Sequence, residues 1–354
     1  MLKRKMRYIY RIISLVYSRM AKLCYSFVSL PPLRINIMLT KKCNSHCHFC
    51  YVKDRLNTTE SDSLSEEEWG KIIDRIPRAS VVVISGGEPF LSPVIYRLIE
   101  EFSRRKIMAS VTTNGTVFSE KQLELLVDNK LTYLMFSLDG MGDYHNNTRG
   151  HKDAFQKVMN SIEVIEKIKK EKNSRFPILA FKVCILEDNY DEIPKLLKLA
   201  EQKVSHVSFS LLVNNVLQHG FVFVDSLEDP LLVEGNTHSY SRECLENIKS
   251  VIEYIMNFKK TSDIEISISP SSYCKSLLDS NFRVTPGKCS IPWSEFSLYY
   301  DGTVTPCITY NCGNIRNMDY DVNKVLKSPR YRKFLSYYEK QMPGARPCEA
   351  CIQS

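Results

Sequence analysis

Six apolar runs of strand length, each followed by a longer helical pattern, constrain this chain more than any other feature. They start with Ile35 to Leu39, Val81 to Ser85 and Met108 to Thr113, and continue with Tyr133 to Leu138, Ile178 to Ile185 and Val204 to Val213. Runs of this kind read as buried parallel strands, because crossover helices cover both faces of a parallel sheet. Ser65 with Glu68, and Ser119 with Gln122, have the capping-box spacing that starts a helix. Six strand–helix repeats therefore imply an α/β fold, a parallel sheet curved into a partial barrel with its active site at the C-terminal strand ends.

From about Asn215 the pattern changes to a long loop, a helix near Arg242 to Phe258 and a strand at Ile264 to Ser269. Beyond these, Phe296 to Tyr300 and Thr303 to Ile308 flank Asp301-Gly302, a hairpin signal, and Val322 to Lys340 reads as a helix. Three units follow: a basic N-terminal helix over 1–32, the barrel with linker elements over 33–270, and a small α+β module over 271–354.

The formal charge of +8 is local, since residues 1 to 53 hold eleven Lys/Arg and no Asp or Glu, leaving −3 on the remainder. A nucleic-acid-binding protein would spread positive charge over a face, so nucleic acid is not an expected partner. Within 3–27, Ile9, Ile12, Ile13, Val16, Met20, Leu23 and Phe27 recur at steps of three and four, which gives an amphipathic helix. No uncharged run is long enough to span a bilayer. The helix is expected either to pack over the domain or to lie on an anionic membrane surface. The apolar stretch Ile12 to Tyr17 is too short for a convincing signal peptide, so the expected location is cytoplasmic, with a membrane-peripheral one through this helix as the alternative.

Twelve cysteines in a reducing compartment point to metal or cluster ligands where they are grouped. Cys43, Cys47 and Cys50 follow the first strand, in a loop where three thiolates can converge on one iron-sulfur cube and leave one iron open. A zinc site completed by His46 or His48 is the alternative. The isolated Cys24, Cys184, Cys244 and Cys274 fit no ligand spacing and read as ordinary thiols.

With these cysteines in place, the chain resembles the radical SAM superfamily over most of its length, and the resemblance implies a partial (β/α)6 barrel. Phe49 matches the aromatic before the third cysteine. Gly86-Gly87-Glu88-Pro89 is similar to the motif that holds the methionyl amino group, its glycines explained by close backbone approach. Thr113-Asn114-Gly115 ends the third strand. Ser137-Leu138-Asp139-Gly140 ends the fourth, and the resemblance implies that Ser137 and Asp139 contact the ribose; turn chemistry after a strand is their alternative. Cofactors implied are S-adenosylmethionine and an open-site 4Fe-4S cluster, which together generate a 5′-deoxyadenosyl radical that takes a substrate hydrogen.

Cys289, Cys307, Cys348 and Cys351 resemble the ligand set of a Twitch or SPASM auxiliary-cluster module, with Cys312 as a spare. No further cysteine follows Cys351, so one auxiliary 4Fe-4S cluster is expected; a zinc site of four thiolates is the alternative. The pattern is similar to radical SAM dehydrogenases of aminoglycoside biosynthesis. The leading expectation is therefore oxidation of an alcohol- or carbohydrate-type substrate, with the auxiliary cluster as electron acceptor and a flavodoxin or ferredoxin as reductant. A maturase modifying a peptide or protein is the second reading, and a non-catalytic iron-sulfur or zinc protein the third. No residue stands out by motif as the general base.

Overall fold

A computed structural model of the protein describes residues 13–14, 16–60, 62–211, 221, 223–227, 241–269, 290–307 and 309–341. The six expected strands are present as β1 (Arg34–Met38), β2 (Val81–Ser85), β3 (Met108–Thr113), β4 (Tyr133–Ser137), β5 (Ile178–Ile185) and β6 (His206–Leu211). Between them run helices α2 (Glu66–Arg75), α3 (Ile95–Arg105), α4 (Glu120–Asp128), α5 (Gly142–Arg149), α6 (Ala154–Glu171) and α7 (Ile193–Lys203). Both capping boxes form, Ser65 with Glu68 and Ser119 with Gln122. Helix α8 (Arg242–Thr261) returns the chain to β7 (Glu265–Ser269), which pairs parallel with β6.

Apart from β1, these strands are not continuously buried as the sequence suggested. On β5, Phe181, Val183 and Ile185 are fully buried, whereas the alternate residues Lys182 and Cys184 are half-buried. One face of the sheet carries the helices and the other opens on a cavity, so period-two alternation reappears inside an apolar run.

The expected hairpin forms from β8 (Glu295–Tyr299) and β9 (Val304–Thr305), and it joins the same sheet. β8 pairs parallel with β1 in the register Arg34↔Glu295 to Met38↔Tyr299, giving a nine-stranded order β7-β6-β5-β4-β3-β2-β1-β8-β9. The single helix expected over Val322 to Lys340 is two pieces, Val322–Val325 and α9 (Pro329–Gln341), with Pro329 starting the second. A further tie crosses from this C-terminal stretch to α2. Arg316 pairs with Glu68, Nε to Oε1 at 2.5 Å and Nη2 to Oε2 at 3.0 Å, and the Tyr320 hydroxyl donates to the same carboxylate at 3.1 Å.

Hydrogen bonding from Arg316 holds the Glu68 carboxyl well down, at about 2 against an ordinary 4.5. A carboxylate depressed in the folded state contributes stability that is complete above its unfolded pKa and lost as pH falls towards the folded one. Glu68→Gln should thus narrow the difference in stability between pH 6 and pH 3 relative to wild type, measured by thermal unfolding across that range. Parallel wild-type and variant curves would remove the pair from the acid response.

Residues 16–24 form helix α1, and its orientation differs from a simple inward-facing amphipathic helix. Ala21 and Ser18 are buried, Tyr17 and Tyr25 pack against the core, and Lys22 Nζ stands 4.3 Å from the Trp293 ring centroid. The apolar stripe Ile13, Val16, Met20, Leu23 and Phe27 faces outwards. Ile9 and Ile12, the remainder of that stripe, lie outside the described residues.

Candidate active site

The stem of the cysteine loop is fixed by residues around it. Asn57 accepts the Cys43 N–H on Oδ1 at 2.9 Å and returns Nδ2 to the Cys43 carbonyl at 3.0 Å. A tight turn brings the Cys50 N–H to the Cys47 carbonyl at 3.2 Å. At the end of β3, Asn114 Nδ2 donates to Asn44 Oδ1 at 2.8 Å and Ser45 Oγ at 2.9 Å, tying the loop to a neighbouring strand end.

The two glycines after β2 serve this same loop. Gly87 N–H donates to the Thr40 carbonyl at 2.8 Å and Glu88 N–H to the Lys42 carbonyl at 2.7 Å. A Cβ at Gly86, where φ is +133°, would stand 2.6 Å from the Thr40 carbonyl oxygen, and one at Gly87 would overlap the Lys42 carbonyl. Close backbone approach is indeed the reason for both glycines, but the partner is the protein's own chain leading to Cys43.

Glu88 is 1% exposed and accepts three bonds, from Phe90 N–H at 3.1 Å, the Thr113 hydroxyl at 2.8 Å and Asn114 N–H at 2.7 Å. Its carboxyl thereby locks the loop after β2 to the end of β3. Burial pushes it up to about 7, against the opposing pull of the Asn114, Thr113 and Phe90 bonds. Pro89 is buried in the short 3-10 turn that follows.

Just beyond the end of β4, Asp139 is fully buried and its Oδ2 lies 2.5 Å from Arg149 Nη2. Oδ1 of the same carboxylate accepts the Cys184 N–H at 2.8 Å. Arg149 also reaches the cysteine loop, with Nη1 3.7 Å from Cys47 Sγ and its guanidinium 5.3 Å from the Phe49 ring centroid. The buried pair is thus a strut between the fourth strand end and the second cysteine.

A cavity of about 620 Å³ lies between these walls. Cys43, Cys47, Cys50 and Phe49 line one side, Gly86 and Gly87 another. Ser137 lines the far wall, while Glu88, Pro89 and Asp139 stand behind the lining and hold it. The structure adds residues that spacing did not single out. Cys184, read from the sequence as an ordinary thiol, lines the cavity, as do Lys182 and Ser210. Lys182 Nζ donates to Ser210 Oγ at 2.5 Å and Ser208 Oγ at 3.3 Å. Among the described residues no carboxylate pairs with Lys182, whereas Arg149 has Asp139. Only the period-two position of Lys182 and Cys184 on β5 could have placed them there.

Of the C-terminal cysteines, Cys307 is half-buried against the core and Cys312 is buried within it. Cys289, Cys348 and Cys351 lie outside the described residues.

Three thiols on one loop, with a cavity in front of them, suit a cluster that takes three protein thiolates and keeps one iron for a small ligand. The glycine stem and the Asp139–Arg149 strut make that loop a built structure and not a surface turn. Fold and site together have the features of a radical SAM domain. A model of the radical SAM superfamily matches residues 37–200, and a model of the SPASM iron-sulfur cluster-binding domain matches residues 289–352. The chain carries a radical SAM domain and a C-terminal SPASM domain, and domains of these kinds imply S-adenosylmethionine and 4Fe-4S clusters as cofactors.

Sporulation killing factor maturation protein SkfB of Bacillus subtilis is 28% identical over 48% of this chain, a match spanning only 39% of that protein's length. The cysteine-type anaerobic sulfatase-maturating enzyme of Clostridium perfringens is 24% identical over 90% of this chain and 87% of its own. Streptococcus suis SuiB, solved with S-adenosylmethionine, shares the fold with a TM-score of 0.66 at 16% identity, covering 97% of this chain and 77% of SuiB. A second structure holds SuiB bound to precursor peptide SuiA.

Proposed function

We propose that this protein is a maturase that modifies a side chain of a peptide or protein substrate. The observation that carries the reading is the similarity of the chain, across nine-tenths of its length, to an enzyme that matures sulfatases. SkfB and peptide-bound SuiB support it. Oxidation of an alcohol or carbohydrate, the first expectation from the cysteine spacing, gains no comparable support and takes second place.

When bound, the open-site cluster and S-adenosylmethionine supply a radical that takes a hydrogen atom, and the auxiliary cluster supplies an electron acceptor. The protein's own residues have other tasks. Cys43, Cys47 and Cys50 would hold the cluster; Gly86, Gly87 and Glu88 fix the loop beside it; Ser137 offers a hydroxyl at the cavity wall. Phe49 and the Asp139–Arg149 strut keep the loop from shifting as substrate enters. Lys182, a buried-wall cation bonded to serine hydroxyls, is the group positioned to meet an acidic substrate residue. Cys289, Cys307, Cys348 and Cys351 would ligate the auxiliary cluster.

Anaerobically reconstituted enzyme should convert a precursor peptide encoded beside its gene, with one 5′-deoxyadenosine formed per modified peptide, read by mass spectrometry. Cys348→Ala or Cys351→Ala should still form deoxyadenosine under a strong artificial reductant, but with much less modified peptide per cleavage event. Turnover of a secondary alcohol with the peptides left untouched would restore the dehydrogenase reading.

A further inference from the structure

Helix α1 turns its apolar stripe away from the protein, and the contacts on its other face prevent it from rolling back. Ser18 Oγ lies 2.7 Å from Ser294 Oγ, the Tyr25 hydroxyl donates to the Leu326 carbonyl at 2.5 Å, and the Tyr17 hydroxyl to the Pro31 carbonyl at 2.7 Å. With Ala21 1% exposed, these bonds set the helix rotation. The opposite face then presents Ile13, Val16, Met20, Leu23 and Phe27, at steps of three, four, three and four, with Val28 at its end. Leu23 is 79% exposed and Phe27 90%, and six of the ten exposed large hydrophobic residues described lie between positions 13 and 28. Scattered exposed apolar residues need no explanation, whereas a continuous stripe marks a surface that meets something.

Charge selects the occupant. Arg19 is exposed on this helix, and Arg332 and Lys333 are exposed on α9, where Arg332 faces Tyr25. In sequence, Lys3, Arg4, Lys5, Arg7 and Arg11 precede the helix, and no acidic residue occurs before Asp54. Glu339 is the acidic group described at this helix, 4.0 Å from Lys22. An apolar stripe flanked by cations is what an interfacial helix offers, its apolar side chains entering the acyl boundary and its basic ones meeting anionic headgroups. We propose that α1 docks the enzyme on an anionic lipid surface, through Ile13, Val16, Met20, Leu23 and Phe27 with the surrounding basic residues. The rest of the protein stays in the aqueous phase. Among the described residues no helix is long and apolar enough to cross a membrane.

This inference is independent of the substrate, since the helix and the cavity share no residue. The test is cosedimentation of the full-length holoprotein with phosphatidylcholine vesicles, with and without phosphatidylserine, at low and high salt. Wild type should pellet with the phosphatidylserine vesicles, release at high salt, and bind at least about tenfold more weakly to phosphatidylcholine alone. Leu23→Ser/Phe27→Ser and, separately, Arg19→Glu should each weaken binding severalfold while leaving iron content and S-adenosylmethionine affinity as in wild type. Equal pelleting with both vesicle types, or no loss in the Leu23→Ser/Phe27→Ser variant, overturns the proposal. So does a lack of vesicle binding together with concentration-dependent dimerisation that the same double variant abolishes, because the stripe would then be a contact between two copies of this chain.

Discussion

Replacing Cys43, Cys47 and Cys50 together with alanine should lower bound iron from about eight to about four per chain and abolish cleavage of S-adenosylmethionine. The size of the effect follows from the ligand set. All three thiols come from one loop and line one wall of the cavity, so no partial site remains when they are removed. The four C-terminal cysteines lie at least 239 positions further along the chain and should keep their own cluster. The loop itself should survive, because the Asn57 bonds to Cys43 and the Asn114 bonds to Asn44 and Ser45 engage the backbone and neighbouring side chains, not the thiols. Iron analysis and circular dichroism on the same preparation separate ligand loss from unfolding. A wild-type content near four irons would refute the auxiliary cluster, and a triple variant that still cleaves S-adenosylmethionine would refute the assignment of these cysteines.

The second large effect concerns the strut at the cavity wall. Arg149→Met would leave Asp139, fully buried, with the Cys184 N–H donating to Oδ1 and no cation at Oδ2. Removing one partner of a buried ion pair typically costs about 3–5 kcal/mol, because the other charge stays desolvated. The loss should appear as a marked fall in thermal stability and, since Arg149 also contacts Cys47 and Phe49, as weaker cluster retention. Adding Asp139→Asn should recover much of the stability, because a neutral amide no longer needs a counter-charge. Cluster retention should stay impaired in the double variant, since the contact with Cys47 is still missing. If the two substitutions simply add, Arg149 and Asp139 are not energetically coupled and the strut has no role.

The sequence alone carried the strand–helix order, the two capping boxes and the cysteine triplet that lines the cavity. Those features are local: apolar runs, cap spacing and ligand spacing are each written within a few residues, and the chemistry of thiolates fixes what such a group can hold. Even the need for Gly86 and Gly87 was legible as close backbone approach. Which backbone approaches was not, because Thr40 and Lys42 come from a different loop and only the packing of β1 beside β2 brings them there.

Contacts distant in sequence decided the rest. Lys182 and Cys184 look like interior residues of an apolar strand until the sheet opens one face to the cavity. The C-terminal hairpin reads as part of a separate module, yet parallel pairing of β8 with β1 places it in the main sheet, an outcome set by free edge hydrogen bonds that no local pattern encodes. Helix α1 shows the limit most plainly. Its period gave the stripe, but burial on the domain went to the small and hydrogen-bonding face, Ser18, Ala21 and Tyr25, where Ser18 meets Ser294 and the Tyr25 hydroxyl reaches the Leu326 carbonyl. A helical pattern fixes which residues share a face; the surface it lands on determines which face is covered.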